Sequence, residues 1–233
     1  MRVGIIQSCY IPWRGYFDFI ASVDAFVFHD DIQYTKRDWR NRNKLRTAKG
    51  TEWLSVPVSY KSTDQLICAT PIDYGTPWPQ KHLRTWEANY RRATHYAAAA
   101  DLLASMAGER HASISELNVA LTRRICGYLD IRTPMLLSSE LKAQGSKTAR
   151  LIDLLQKLGA TAYLSGPSAD AYLDKAMFRD QGITLEYKTY DYAPYPQLWG
   201  DFIGEVTVLD LIANCGPRAK EYLRSCSPNI SIV

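Results

Sequence analysis

The chain has 233 residues, 46% of them hydrophobic, and a formal net charge of +4 at pH 7. A chain of this length buries about 70% of its unfolded surface, so it needs neither disulfides nor a metal to fold. The small net charge gives no indication of global attraction to nucleic acid, so the local distribution of charge matters more than its sum.

The cysteines and apolar runs narrow the class of protein further. The five cysteines are odd in number and include no CxxC pair, so the sequence indicates neither a disulfide framework nor a zinc ribbon. No apolar run reaches the roughly 18 residues of a membrane span, and the first residues lack a signal-peptide pattern. We therefore expect a cytoplasmic protein with no membrane span and no bound metal.

The first residues predict a strand, a helix and a second strand. Val3–Ile6 and Ala25–Phe28 are continuous apolar runs, which are typical of strands buried on both faces. Between them, Tyr16–Ser22 has the apolar spacing of a helix. This order predicts a βαβ unit with a right-handed crossover.

The middle of the chain predicts two short strands and then three helices. Trp53–Val58 predicts a third strand, and Pro57 indicates that this strand lies at a sheet edge or ends early. Cys68–Ile72 predicts a fourth short strand. Thr76 and Pro77 predict a helix start, as N-cap and first helical residue. The three predicted helices span 77–92, 96–106 and 113–129 and form a helical insert at about residues 77–129.

Helices and apolar strands alternate in the rest of the chain. The predicted strands are 133–137, 162–165 and 183–187, and the predicted helices are 147–158, one near Tyr172 that ends at Gly182, and 206–214. The whole pattern predicts an α/β fold with a mostly parallel, doubly wound (Rossmann-like) sheet, in a single domain over residues 1–233.

Ligands of open α/β sheets bind beyond the carboxyl ends of the strands, so polar and aromatic residues that follow strands are site candidates. These candidates are in residues 7–13, 29–31, 138–139 and 165–168 and at Tyr190, and they include Gln7, Tyr10, Trp13, His29, Asp30, Asp31, Ser138, Ser139, Ser165 and Gly166. Tyr34, with Tyr10 and Trp13, is expected to offer an aromatic face to a base or sugar. Asp30 or Asp31 would serve as a general base, orient a substrate or bind Mg²⁺ with phosphate, and a turn cap is the structural alternative.

A basic segment from Lys36 to Lys49 is interleaved with Trp39 and asparagines. Arginine forks match phosphate oxygens, so we expect the segment to bind phosphate, and a solvated surface is the alternative. The residues assigned to this role are Lys36, Arg37, Arg42 and Asn43. No known nucleic-acid motif accompanies the segment, so we do not expect nucleic acid as a partner.

His82, beside Lys81 near a helix start, is the first candidate for acid–base chemistry because imidazole titrates near neutrality. Packing on Trp86 is the structural alternative, and His29 is the rival base. Cys9 lies in the first strand-to-helix turn, but no triad spacing supports it as a nucleophile. There is no GxGxxG or Walker pattern, so we expect no dinucleotide cofactor and no P-loop.

Several motifs together resemble the WbqC-like family over nearly the whole chain. They are Gln7…Tyr10-Ile-Pro-Trp13…Gly15-Tyr-Phe17, Asp30-Asp31-Ile-Gln33-Tyr34…Lys36-Arg37…Arg42-Asn43, Trp78…Lys81-His82-Leu83…Tyr90, Tyr163-Leu-Ser-Gly166…Tyr172-Leu173 and Tyr195-Pro-Gln197…Phe202…Val208-Leu-Asp210-Leu211…Asn214…Gly216. One departure is Ser8, where the family pattern usually has proline after the glutamine.

The resemblance implies a bacterial protein of surface-polysaccharide (O-antigen) biosynthesis that acts on a nucleotide-activated sugar. The leading hypothesis is a transferase that adds an acyl or aminoacyl group to an amino sugar. The alternatives are a nucleotidyltransferase-like enzyme and a non-enzymatic scaffold, and a homodimer is among the assemblies considered. The hypothesis makes one geometric prediction: Tyr10, Asp31, Arg42, His82 and Gly166 line one cleft.

Overall fold

The computed structural model describes all 233 residues. Its strands are β1 (Arg2–Ile6), β2 (Ala25–Phe28), β3 (Arg42–Thr47), β4 (Gly50–Ser55), β5 (Met135–Leu137), β6 (Ala162–Ser165), β7 (Thr184–Tyr187) and β8 (Ile230–Ser231). Six of them form one sheet in the order β5-β2-β1-β6-β7-β8, and β3 and β4 form a separate hairpin. The sheet is parallel except for β8, which runs antiparallel to β7.

Helices cover both faces of this sheet. They are α1 (Arg14–Ala21), α2 (Trp78–Tyr90), α3 (Tyr96–Ala104), α4 (Ile114–Tyr128), α5 (Ser138–Leu141), α6 (Lys147–Lys157), α7 (Lys175–Asp180) and α8 (Val208–Cys215), with 3₁₀ helices at Pro167–Ala171 and Gly216–Tyr222. Phe26 and Phe28 of β2 belong to a core with α1 to α4 and α8, whereas Ala25 and Val27 belong to a second core with α6 and α7. The α/β, doubly wound prediction is therefore confirmed.

Close packing of α1 on β1 fixes the start of the fold. A Cβ atom at Gly4 would lie 2.4 Å from Cε1 of Phe19, so only glycine lets the helix approach the strand this closely. The helix then returns the chain to β2, which pairs in parallel with β1 from Val3 opposite Ala25 to Ile6 opposite Phe28. The predicted βαβ unit is confirmed.

One strand prediction needs correction and a second is wrong. The strand expected at Trp53–Val58 is β4, which ends at Ser55, the early end that Pro57 indicated, but it pairs with the unpredicted strand β3 outside the main sheet. The stretch Cys68–Ile72 forms only isolated bridges. Its Thr70 hydroxyl donates to the Leu66 carbonyl at 2.7 Å, which closes a turn instead of extending a strand.

Two helix predictions also need correction. Thr76 is not a cap, because α2 begins at Trp78 after Pro77 and has no side-chain cap. The single helix near Tyr172 is a 3₁₀ helix followed by α7, which Asp174 caps by accepting hydrogen bonds from the backbone nitrogens of Ala176 and Met177. No helix is long and apolar enough to cross a bilayer.

The single-domain organisation stays a prediction.

Candidate functional site

A cleft of about 740 Å³ opens at the carboxyl ends of the central strands, beside β1 and β6. The connections that leave these neighbouring strands run to opposite sides of the sheet, which is the switch point where open parallel sheets bind ligands. Its wall includes Gln7 at the end of β1, His29 after β2, and Ser165 and Gly166 at the end of β6. We call it the switch-point cleft.

The start of α6 forms another wall of the switch-point cleft, through Lys147, Thr148 and Arg150. The N-cap residue of this helix, Ser146, makes no side-chain cap hydrogen bond, so the first backbone N–H groups are not all satisfied by a cap. A helix N-terminus carries partial positive charge and favours anions. With an exposed Lys147 and a half-buried Arg150, this wall is suited to phosphate.

Arg150 is held in a fixed orientation at this wall. Its Nη1 donates to the Ala143 carbonyl at 2.7 Å, and its Nη2 donates to the carboxylate of Asp31. Its Nε is buried and bonds to no protein group, and the same is true of Nε2 of His29. Buried polar atoms are normally hydrogen-bonded, so each of these two atoms, on a residue that lines the cleft, lacks a partner that a bound ligand would supply.

His29 remains neutral at pH 7. Burial lowers the pKa of its imidazole, and Arg150 acts in the same direction, while Asp31 and Asp30 oppose them. A neutral imidazole with a free nitrogen in a cleft can accept a proton from a substrate.

The two adjacent aspartates do not line the cleft. Asp30 is buried and accepts hydrogen bonds from the backbone nitrogen of Ser139 at 3.0 Å and from its hydroxyl at 2.8 Å. These hydrogen bonds join the end of β2 to the start of α5. Asp30 therefore has the structural role, that of a cap, which was the alternative to a catalytic one. Asp31 pairs with Arg150 and so positions a cleft residue.

His82 lies in the protein interior, only 3% exposed. Its Nε2 faces the Ser55 carbonyl at 3.2 Å and must donate, so Nδ1 accepts from the Tyr10 hydroxyl at 2.8 Å. Burial lowers the pKa of His82 to about 4, and nearby Lys81 acts in the same direction. Both ring nitrogens are used, so the ring braces the turn after β1 against β4 and α2.

A second, smaller cavity of about 340 Å³ lies beside the first helix turn. Three of its seven lining residues are aromatic, Trp13, Tyr16 and Trp39, and the others are Cys9, Pro12, Asn43 and Glu205. Tyr16 donates its hydroxyl hydrogen to the carbonyl of Gln7 at 3.1 Å, and Gln7 lines the switch-point cleft. The aromatic cavity and the cleft are therefore neighbours across the end of β1.

Two features mark the turn that separates these cavities. Ile11 has a φ of 34°, which is rare and strained for a β-branched residue. The amide nitrogen of Asn43 donates to the Tyr10 carbonyl at 3.1 Å and holds the turn to β3.

Burial raises the pKa of the Cys9 thiol although Arg40 Nη1 lies 3.0 Å from its sulfur, so Cys9 is a neutral thiol.

The prediction of one cleft for five residues is wrong. Gly166 lines the switch-point cleft and Asp31 reaches it through Arg150, whereas Tyr10 and His82 are buried against each other. Arg42 lies on the hairpin with its guanidinium 4.2 Å from the centre of the Trp53 ring. The five residues are separated because the β3–β4 hairpin packs near α2. The basic segment therefore lies away from β6 and the switch-point cleft.

The remaining predicted residues are similarly divided. Gln7 and Ser165 line the switch-point cleft, and Trp13 and Asn43 line the aromatic cavity. Tyr34 is buried and Lys81 borders a separate pocket with His82. Lys36 and Arg37 are exposed, with the Lys36 ammonium 3.8 Å from the centre of the Tyr60 ring.

The chain is similar in sequence to a mycobacterial protein along almost its whole length. It is 48% identical over 228 residues, 97% of this chain and 98% of the relative, to the Mycobacterium tuberculosis (strain ATCC 25618 / H37Rv) protein named "Uncharacterized protein Rv1507c". No solved structure matches. The WbqC-like protein family matches residues 7–222, from the glutamine in the cleft to the end of the second 3₁₀ helix, and the chain belongs to this family.

Proposed function

We propose that the protein is a transferase that modifies a nucleotide-activated amino sugar in bacterial surface-polysaccharide biosynthesis, by acyl or aminoacyl transfer. The observation that carries the proposal is the switch-point cleft, where the start of α6 presents Lys147 and Arg150 beside the ends of β1 and β6. Its volume of about 740 Å³ is within the usual range for small-molecule sites.

In this proposal the diphosphate of the nucleotide sugar binds the start of α6. Arg150, fixed by Asp31 and the Ala143 carbonyl, binds one phosphate through its free Nε. Tyr172, which is 71% exposed at the rim, offers a face on which the base can stack. The sugar then extends toward Gln7 and His29.

His29 is the proposed general base. The amine of the sugar attacks the carbonyl carbon of an activated acyl donor, a C–N bond forms, and the bond to the leaving group breaks. Nε2 of His29 takes the proton that the amine loses. The aromatic cavity beside Gln7 would hold the acyl donor with its carbonyl carbon next to the attacking amine.

The test is turnover of purified protein with a panel of nucleotide amino sugars and acyl donors. We expect His29→Ala to lower kcat about 10²- to 10⁴-fold, the usual contribution of a general base. Because the pKa of His29 is below its ordinary value of 6.5, we expect the acidic limb of the kcat/KM profile to lie below that pH. The matched control is Arg179→Ala, an exposed residue of α7 without an ion pair. Full turnover by His29→Ala on the identified substrate would refute the assignment.

Nucleotidyl transfer is a second candidate, and one observation favours it. The parallel strands run β5-β2-β1-β6-β7, an order with the first strand at the centre that recurs in nucleotide-binding sheets. A nucleoside triphosphate would then bind the start of α6. Release of pyrophosphate from a triphosphate would support this reaction, whereas acyl transfer leaves the nucleotide intact.

A further inference from the structure

The hairpin and the segment just before it carry a surface of two exposed tryptophans and two half-buried cations, which we call the hairpin shelf: Trp39, Arg42, Lys44 and Trp53. The tryptophans are 40% and 39% exposed, and their ring centres are 5.3 Å apart. The Arg42 guanidinium lies 4.2 Å and the Lys44 ammonium 5.2 Å from the centre of the Trp53 ring.

Strand alternation builds this surface. Lys44 is directly opposite Trp53 in the antiparallel register, and Arg42 lies two residues away on the same face of β3. The intervening residues, Asn43 and Leu45, are buried. The cations therefore lie on the same side of the hairpin as Trp53 and beside its ring.

The positive charge of the hairpin shelf is not neutralised by the protein. Arg42 and Lys44 form no ion pair, and neither do their neighbours Lys36, Arg37 and Lys49. The nearby carboxylate of Asp38 pairs with Arg40 at 3.3 Å. Exposed aromatic rings flanked by unpaired cations are a feature of interaction surfaces. They suit a ligand that carries both negative charge and flat rings.

We infer that the hairpin shelf binds single-stranded RNA. Unpaired bases stack on exposed aromatic rings, and arginine and lysine contact the phosphates between them. Two tryptophans and several cations offer stacking faces and phosphate contacts for more than one nucleotide. Trp39 also lines the aromatic cavity, so an RNA end on the shelf lies beside that cavity.

This inference does not depend on the proposed transferase activity, because the shelf and the switch-point cleft share no lining residue, and Trp39, which also lines the aromatic cavity, is unchanged in every test variant. It replaces the sequence-based expectation of no nucleic-acid partner, which rested on the absence of a linear motif. The binding surface is instead created by pairing Lys44 in one strand with Trp53 in the next.

The test is fluorescence anisotropy with a labelled, unstructured RNA of about 8 nucleotides, within the usual site size of such surfaces. We expect Trp53→Ala to weaken binding about fivefold or more, and Trp53→Phe, which keeps a stacking ring, to retain most of it. We expect Arg42→Ala and Lys44→Ala each to reduce the slope of log K against log salt by about 0.7. Arg179→Ala is the charge-matched control and should bind like wild type.

Three outcomes would overturn the inference. They are no binding of the RNA by wild-type protein, equal weakening by Arg179→Ala and the shelf variants, and equally tight, equally shelf-dependent binding of anionic phospholipid vesicles. The last would assign the surface to a membrane. Arg150→Ala should leave RNA binding unchanged, so failure of the cleft proposal and failure of the shelf inference are distinguishable.

Discussion

At the scale of single residues, hydrogen-bond partners separate the two candidate bases. Burial lowers the pKa of both His29 and His82. His29 keeps a free nitrogen on the wall of the switch-point cleft, whereas both nitrogens of His82 are bonded to Tyr10 and Ser55. His29, with an unpaired nitrogen, is therefore the imidazole that is suited to proton transfer. His82 has a structural role.

The burial of His82 predicts a pH-dependent stability. The pKa of His82 is about 4 in the folded protein and 6.5 for an ordinary, unfolded-chain histidine. As pH falls, the histidine of the unfolded chain is therefore protonated before that of the folded protein. The stability from this group is fully present above pH 6.5 and is lost as pH falls toward 4, by roughly 3 kcal/mol in all.

Urea unfolding from pH 7 to pH 4 measures this effect, with His82→Gln as the comparison. Glutamine keeps a donor and an acceptor but does not titrate in this range. We expect the free energy of unfolding of wild type to fall more steeply with acid than that of the variant. Parallel curves would show that the protonation of His82 is not linked to folding.

At the scale of elements, a buried ion pair joins α1 to the segment after β7. Asp18 and Lys188 have side chains that are each 4% exposed, and Nζ lies 2.7 Å from Oδ2. The same oxygen accepts from the Tyr192 hydroxyl at 2.8 Å and from the backbone nitrogen of Ser225 at 3.0 Å. One carboxylate of α1 thus fixes three separate parts of the C-terminal region.

Removal of one partner of this pair should be costly. Asp18→Ala would leave Lys188 buried without its counter-ion, and we expect a loss of about 3–5 kcal/mol in the free energy of unfolding. The double variant Asp18→Leu with Lys188→Met, which removes both charges, should recover much of this loss. Chemical denaturation of the wild type and the two variants tests this, and equal losses in both variants would contradict the account.

At the scale of the whole molecule, the strand order assembles the switch-point cleft from distant parts of the chain. Gln7 and His29 follow the first two strands, Arg150 lies in α6, and Ser165 ends β6. These residues meet because β6 pairs directly with β1. The cleft is therefore a product of topology, and its positive wall depends on where α6 begins.

Part of this arrangement is predictable from sequence. Continuous apolar runs define β1 and β2, and polar residues after strands identify Gln7, Ser165 and Gly166 as parts of one site. Lys147, Thr148 and Arg150 were missed although a signal exists. A helix that connects parallel strands begins at the carboxyl edge of the sheet, so the first turn of the helix before β6 belongs to the same edge.

The hairpin and His82 mark what could not be predicted. Residues 42–45 alternate between half-buried and buried side chains, but the cations in this strand conceal the alternating pattern. Once β3 is missed, nothing in the sequence shows that the basic segment packs near α2 and away from β6. The contact of His82 with Tyr10 spans 72 residues, and helical spacing alone does not reveal such a partner.

The most direct test of the central claim is calorimetric titration of the protein with nucleoside diphosphates, which carry the group that the start of α6 is proposed to bind. We predict that wild type and Arg179→Ala bind a member of this class equally well. Arg150→Ala should bind it about 10- to 100-fold more weakly, the effect of losing a charge-assisted hydrogen bond. Equal binding by Arg150→Ala, or no binding of any nucleoside diphosphate by wild type, would contradict the account.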